Sequence, residues 1–338
     1  MKYFIVVIFA SFYFFSCGKK EPVSSAITPT NLTLNAVVNS NNSGNVNFTA
    51  SATNAVMYEF DFGNGIFQNV VSGMVTYKYF ASGTYTVKVV AKSSTGQTVS
   101  AAITITVSVM QTLVWSDEFN SNGLPDGNKW GYDLGGGGWG NNELQNYTNR
   151  LDNAYITNGT LKIVAKAEAL NGSNYTSARL LSKSKYSFKY GKIEMSAKLP
   201  STAGSWPAFW LLGDNINTVS WPACGEIDIM EHVANQLNKI HNTIHYPGFS
   251  GGNGVTSNTI VPTATTAFHK YTLDWNSVTM QFLIDDVLVF TIPNNTSKPF
   301  NQPFFVILNQ AVGGNFGGAV SPSFTNDVFE IDYVRVYQ

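Results

Sequence analysis

The chain has 338 residues, a net charge of −1 and 12 % charged side chains, about half the roughly 25 % usual in soluble domains. Its polarity must come from Asn, Ser, Thr, Gln and Gly, which suits short strands joined by tight turns. There is no Lys/Arg-rich patch beyond pairs such as Lys19-Lys20. Nucleic acid is therefore excluded as a partner, because phosphate binding needs clustered positive charge.

At the start of the chain, Met1-Lys2 precedes an apolar run from Tyr3 to Phe15, and then "SCGKK". A run of this length suits a signal-peptide core and is short for a membrane span. Ser16-Cys17 resembles the lipobox of bacterial lipoproteins, although Phe14 and Phe15 stand where Leu and a small residue are usual. The resemblance implies a signal peptide over 1–16, lipid on Cys17 and a tether over 17–30. The protein is then expected to be exported and anchored to a bacterial membrane, at the outer membrane or cell surface. Cys224 is the other of two cysteines. With Cys17 lipidated, no disulfide forms within the chain and no CxxC metal cluster exists.

Residues 31–109 read as a small all-β unit. "LTLNAVV", "NVNFTASA", "MVTYKYF", "GTYTVKVVAKS" and "TVSAAITITV" alternate apolar and polar residues, or are rich in Val, Thr and Tyr, between turn signals such as Asn42-Ser43-Gly44. Such a series of short strands predicts a β-sandwich. "YEFDFGNG" followed by "YKYFASGTYTVKVVA" resembles the immunoglobulin-like PKD domain, with Tyr58 where Trp is more usual and Asn64 in place of Asp. Such modules are mostly spacers.

Residues 113–338 carry all seven tryptophans, and the strands lengthen ("KIEMSAKLP", "PFFVILNQAVGG", "FEIDYVRVYQ"). No apolar stripe of helical period persists for three turns. A single antiparallel two-sheet jelly roll, whose concave face offers a cleft, fits this length and pattern.

Within that region, "WPACGEIDIMEHVAN" sets Glu226, Asp228 and Glu231 in six residues of an otherwise apolar run. As a helix they share no face. As a regular strand, Glu226 and Asp228 point one way, while Glu231 joins Ile227 and Ile229 behind the sheet. An unpaired carboxylate there would cost several kcal/mol. A β-bulge near Ile229-Met230 resolves the conflict by returning Glu231 to the face of Glu226. Three acids on one face could bind a hard cation. A strand, however, spreads its side chains along a line, which suits lining a groove better than wrapping an ion; the other use is glycoside hydrolysis, where a retaining enzyme needs two carboxyls about 5–5.5 Å apart. Crowding like charges keeps at least one of them protonated.

The segment resembles the active-site strand of glycoside hydrolase family 16 in the bulged E-x-D-x-x-E form of laminarinases. "LVWSDEFN", "GWGNNELQNYT", "SARLLSKSKYSFKYGKIEMSAKLP", "SWPAFWLLG", "FHKYTLDW", "ILNQAVGGNFGG" and "DYVRVYQ" extend the likeness, in order, over almost all of 113–338. It implies a concanavalin-like β-jelly roll and a retaining endo-β-glucanase. Glu226 would be the nucleophile, Asp228 its assisting carboxylate and Glu231 the acid/base. Trp206, Trp210 and Trp221 are expected to stack on sugars, and Asn141 and Arg179 to hold hydroxyls. His245 would contact substrate or tune Glu231, while His232 and His241 are read as structural. Asn142 and Glu143 also read as hydroxyl binders. The likeness further implies a structural calcium at Glu118, Asp332 and a carbonyl near Gly159, with no organic cofactor. The expected partners are a 1,3-β-glucan or mixed-linkage 1,3-1,4-β-glucan and, through the lipid, a membrane; the working form is expected to be a monomer. Rival readings are the same fold cutting agarose or carrageenan, and a non-catalytic glycan-binding lipoprotein.

Overall fold

A computed structural model describes residues 26–80 and 82–338, so Cys17 and the signal run lie outside the described residues. The chain divides into two compact units, one ending at Val109 and the other spanning Met110–Gln338. Both are β-structures, and each has its own core.

In the first unit a three-stranded and a four-stranded sheet form. Strict alternation does the folding. Val46, Phe48 and Ala50 in Asn45–Thr53, and Val87, Val89 and Ala91 in Gly83–Lys92, are buried, while their neighbours face solvent. Phe48, Phe60, Phe62 and Tyr79 fill the interior, and the Tyr79 hydroxyl donates to the Phe62 carbonyl at 2.9 Å.

The second unit is a ten-stranded and a seven-stranded sheet that share one large core. The ten-stranded sheet supplies Ile193, Met195, Tyr271, Trp275, Phe282, Phe329 and Val334; the seven-stranded sheet supplies Leu180, Phe209, Leu211, Ile227, Ile244, Val306 and Leu308. Pairing is antiparallel except for Gln145–Tyr147 with Ser173–Ser177, which run parallel. The seven-stranded sheet has the order Val255–Ile260, Lys239–His245, Glu226–His232, Ser205–Gly213, Phe304–Val312, Arg179–Leu181, Gly131–Asp133. Its central strands are apolar toward the core. Their opposite face carries Glu226, Asp228, Glu231, Trp206, Trp210 and Asn309, and this face builds the site.

Candidate active site

The acidic strand Glu226–His232 contains the irregularity that the sequence requires. Asp228 pairs with Thr243 but Glu231 pairs with His241, so three steps on one strand match two on the other. On the opposite side Met230 faces Phe209 and Asp228 faces Trp210, leaving Ile229 as the extra residue. Ile229 and Met230 both turn into the core, at 1 % and 0 % exposure. Two consecutive inward residues reverse the alternation, and Glu231 emerges beside Glu226 and Asp228.

Each acid has a defined partner. The Trp221 indole N–H donates to Glu226 Oε2 at 2.7 Å, and the Trp206 indole N–H donates to Glu231 Oε1 at 3.0 Å. His245 Nε2 lies 3.2 Å from Asp228 Oδ2 and 4.0 Å from Glu226 Oε1. Burial pushes Glu226 up to about 8, with the charge of Asp228 adding to it; His245 and the Trp221 N–H pull the other way. Burial likewise pushes Glu231 up to about 7, against the Trp206 hydrogen bond. Asp228, 3 % exposed, is raised well above the ordinary carboxyl range by burial and then by the charge of Glu231. Glu226 keeps 17 % of its side-chain surface open, so solvent limits its shift. At neutral pH the cluster therefore retains protons and can supply a general acid.

Beyond the central strand the sheet becomes aromatic. Trp210 donates through its indole N–H to Asn309 Oδ1 at 2.7 Å, and the Asn309 amide donates to the Tyr147 hydroxyl at 3.0 Å. The Arg179 guanidinium stacks on the rings of Trp139 and Trp210, 4.9 and 4.8 Å from their centroids, and its Nε lies 3.0 Å from Asp133 Oδ2. The cation is thus held in place by two rings and one carboxylate. Asn141 enters this wall by donating to Glu143 Oε1 at 3.3 Å.

Several expectations need correction. Trp206 is 8 % exposed, with its N–H on Glu231 and its ring against Phe316, so it holds an acid and offers no open stacking face. Of the three tryptophans read as stacking surfaces, Trp221 presents the open one, at 43 % exposure. Glu143 is buried and accepts from Asn141, Gln145 and Tyr147, so it braces the loop. Asn142 is likewise engaged, donating to Asn315 Oδ1 at 2.9 Å. His245 sits on Asp228 and Glu226, and its charge reaches Glu231 as well. His232 is a core residue whose Nε2 accepts the Asn238 N–H at 3.1 Å, while its Nδ1 has no hydrogen-bond partner among the described residues. His241 is buried but its Nε2 has no partner among the described residues, and it pairs with Glu231 in register.

Asn309, Tyr147, Trp139 and Phe316 were not singled out from the sequence. Asn309 and Gln310 are polar residues in an otherwise apolar nine-residue strand, and that was the available signal.

The calcium set is only partly assembled. Asp117 pairs with Val334 and Leu161 with Ile331, so Glu118 and the Gly159 turn both lie beside the segment of Asp332. The Glu118 carboxylate, however, is gripped by Arg335 through both oxygens, at 3.0 and 2.7 Å. That side chain is committed to a guanidinium, so the expected donor set does not fit a hard cation.

Residues 141–335 match the family model described as glycosyl hydrolases family 16, and residues 31–107 match that of the PKD domain. A β-glucanase of Rhodothermus marinus is 44 % identical over 242 residues, covering 67 % of this chain and 85 % of the relative. The X-ray structure of the laminarinase from the same organism superposes with a TM-score of 0.65 at 45 % identity, over 68 % of this chain and 98 % of that one. A LamA variant from Z. galactanivorans, crystallised with laminaritriose and laminaritetraose, gives a TM-score of 0.63 at 43 % identity, over 67 % and 99 %.

Proposed function

Since the chain belongs to glycosyl hydrolase family 16, we propose that its open acidic face hydrolyses 1,3-β-glucan internally and with retention, by double displacement. The observation that carries this reading is the bulge at Ile229-Met230, which sets Glu231 on the same face as Glu226. Glu231 protonates the glycosidic oxygen while Glu226 attacks the anomeric carbon. Glu231, now ionised, then takes a proton from the water that releases the glycosyl-enzyme. Asp228 shares a hydrogen bond with Glu226 and orients it, and His245 offsets the charge of both. Trp221 and the Arg179–Trp210–Trp139 stack supply the flat and cationic surfaces a neutral glucan needs. A sulfated polysaccharide is a poorer fit, because Arg179 is already paired with Asp133.

Digestion of laminarin, lichenan and agarose by the wild type and by Glu226→Gln tests the reading. Laminarin should be cut and agarose left intact, and the variant should lose about a thousandfold or more in kcat, as removal of a nucleophile does. Unchanged cleavage by the variant would remove Glu226 from the chemistry, and a first product with inverted anomeric configuration would rule out double displacement. The apolar run ending at Cys17 supports placing this activity on a membrane surface. Cys17→Ser should move it from the membrane to the soluble fraction on cell fractionation; membrane retention would sink the anchor.

A further inference from the structure

The "GGNFGG" turn at Gly313–Gly318 has no part in the scheme above, yet it is clasped from two sides, by the Asn141 loop and by the segment that follows Glu231. On one flank the Asn315 N–H donates to the Asn141 carbonyl at 2.7 Å. On the other, Asn235, four residues after Glu231, donates through its amide to the Gly317 carbonyl at 2.6 Å and the Ala319 carbonyl at 3.2 Å. These clasps leave no room for side chains. A Cβ at Gly314 would stand 2.7 Å from the Asn141 carbonyl oxygen, and one at Gly318 would stand 2.5 Å from the Asn235 amide; both glycines have positive φ.

The one large side chain the turn carries is Phe316. Its ring meets Trp206 edge-on, with centroids 5.4 Å apart and planes at 85°. It meets His241 in the same manner, at 5.0 Å and 76°. Trp206 and His241 flank Glu231 from the two neighbouring strands: Ala208, next but one to Trp206, pairs with Glu231 on one side, and His241 pairs with it on the other. Edge-to-face contacts fix ring orientation as well as position. The orientation matters here, because the Trp206 indole N–H is on Glu231 Oε1.

We propose that Phe316 is a positioning residue for the acid/base: wedged between Trp206 and His241, it holds the indole N–H on Glu231 and so aims the carboxyl at the leaving oxygen. The inference rests on Glu231 being the general acid. Loss of the wedge frees the indole, and Glu231 then samples rotamers from which its proton does not reach the glycosidic oxygen. The nucleophile is untouched, because Glu226 is held separately by Trp221.

Leaving-group dependence reads this directly. Laminarin needs a proton on its departing oxygen, whereas the dinitrophenolate of 2,4-dinitrophenyl β-laminaribioside departs without one. For Phe316→Ala, kcat/KM on laminarin should fall about tenfold or more, within the range that general acid catalysis contributes, while the aryl glycoside stays within about twofold. Phe316→Tyr should restore laminarin cleavage. Trp206→Phe, which keeps the ring volume and removes the N–H, should show the same split between substrates, and it serves if the Ala variant does not fold. Equal losses on both substrates, or no loss on laminarin, would overturn the proposal. A wild type that cleaves neither substrate would instead overturn the glucanase reading on which it rests.

Discussion

Glu226 shows how a site can cost stability at the level of a single residue. Its pKa is raised from 4.5 to about 8, first by burial and then by Asp228. The folded state therefore holds the proton more tightly than the unfolded chain does. Its contribution is fully present below the ordinary carboxyl value and is lost as pH rises toward 8. A neutral isostere avoids that loss. Glu226→Gln should leave the melting temperature near pH 4.5 unchanged and raise it by several degrees near pH 8.5, a difference on the order of 4 kcal/mol at one unit per 1.36 kcal/mol. Thermal unfolding of both proteins across that range checks the sign; a variant less stable at high pH would mean that the buried carboxylate is better paired than its two polar contacts indicate. The same reasoning explains Trp221 and His245. Each favours the charged form of a group that burial and Asp228 nevertheless hold at about 8.

One extra residue decides the element. A regular strand has period 2, so the bulge is what allows a five-residue spacing, Glu226 to Glu231, to keep both acids on one face. Parity then makes an unusual prediction. Deleting Met230 leaves the pattern Glu-Ile-Asp-Ile-Glu, in which plain alternation already puts the last Glu outward and His232 inward, as they are now. That variant should stay soluble and keep measurable laminarin cleavage, at a cost of about 2–5 kcal/mol for the lost core side chain. Inserting one Ala between Met230 and Glu231 gives a spacing of six, which plain alternation also sets outward but two strand positions, roughly 6–7 Å, further from Glu226, and it should abolish activity. If the deletion loses activity as the insertion does, strand alternation does not set the place of the acid. This much was legible from the sequence, because a carboxylate among Ile side chains is a conflict with few solutions. Side-chain partnerships were not. Trp206 and Trp210 fall on the same side of one strand, as alternation says, but alternation does not reveal that Phe316 covers one or that Arg179 stacks on the other. Glu143 reads as a free hydrogen-bonder until Gln145 and Tyr147, two and four residues on, are seen to close over it. The parallel pairing of two short strands, Gln145–Tyr147 and Ser173–Ser177, likewise has no local cue. It depends on where the chain returns.

For the molecule as a whole, the core around the site draws its residues from Phe119 to Val336, and the core of the first unit draws its own from Val46 to Val107. The larger unit has the size at which a single domain buries most of its chain's surface, so its stability does not require another domain's apolar area. Every polar contact described for Glu226, Asp228 and Glu231 also lies within Met110–Gln338. Residues 110–338 expressed alone should therefore fold cooperatively and cleave soluble laminarin with a kcat/KM within about twofold of the full chain, since no group that contributes transition-state binding has been removed. Calorimetry of the full chain should show two transitions, the one assigned to the larger unit reappearing at the same temperature in the isolated piece. A marked loss of activity on soluble laminarin would mean that the first unit contributes to the cleft. A loss confined to insoluble glucan would instead give that unit a targeting role, because the acids and their supports would then be intact and the deficit would lie in bringing substrate to them.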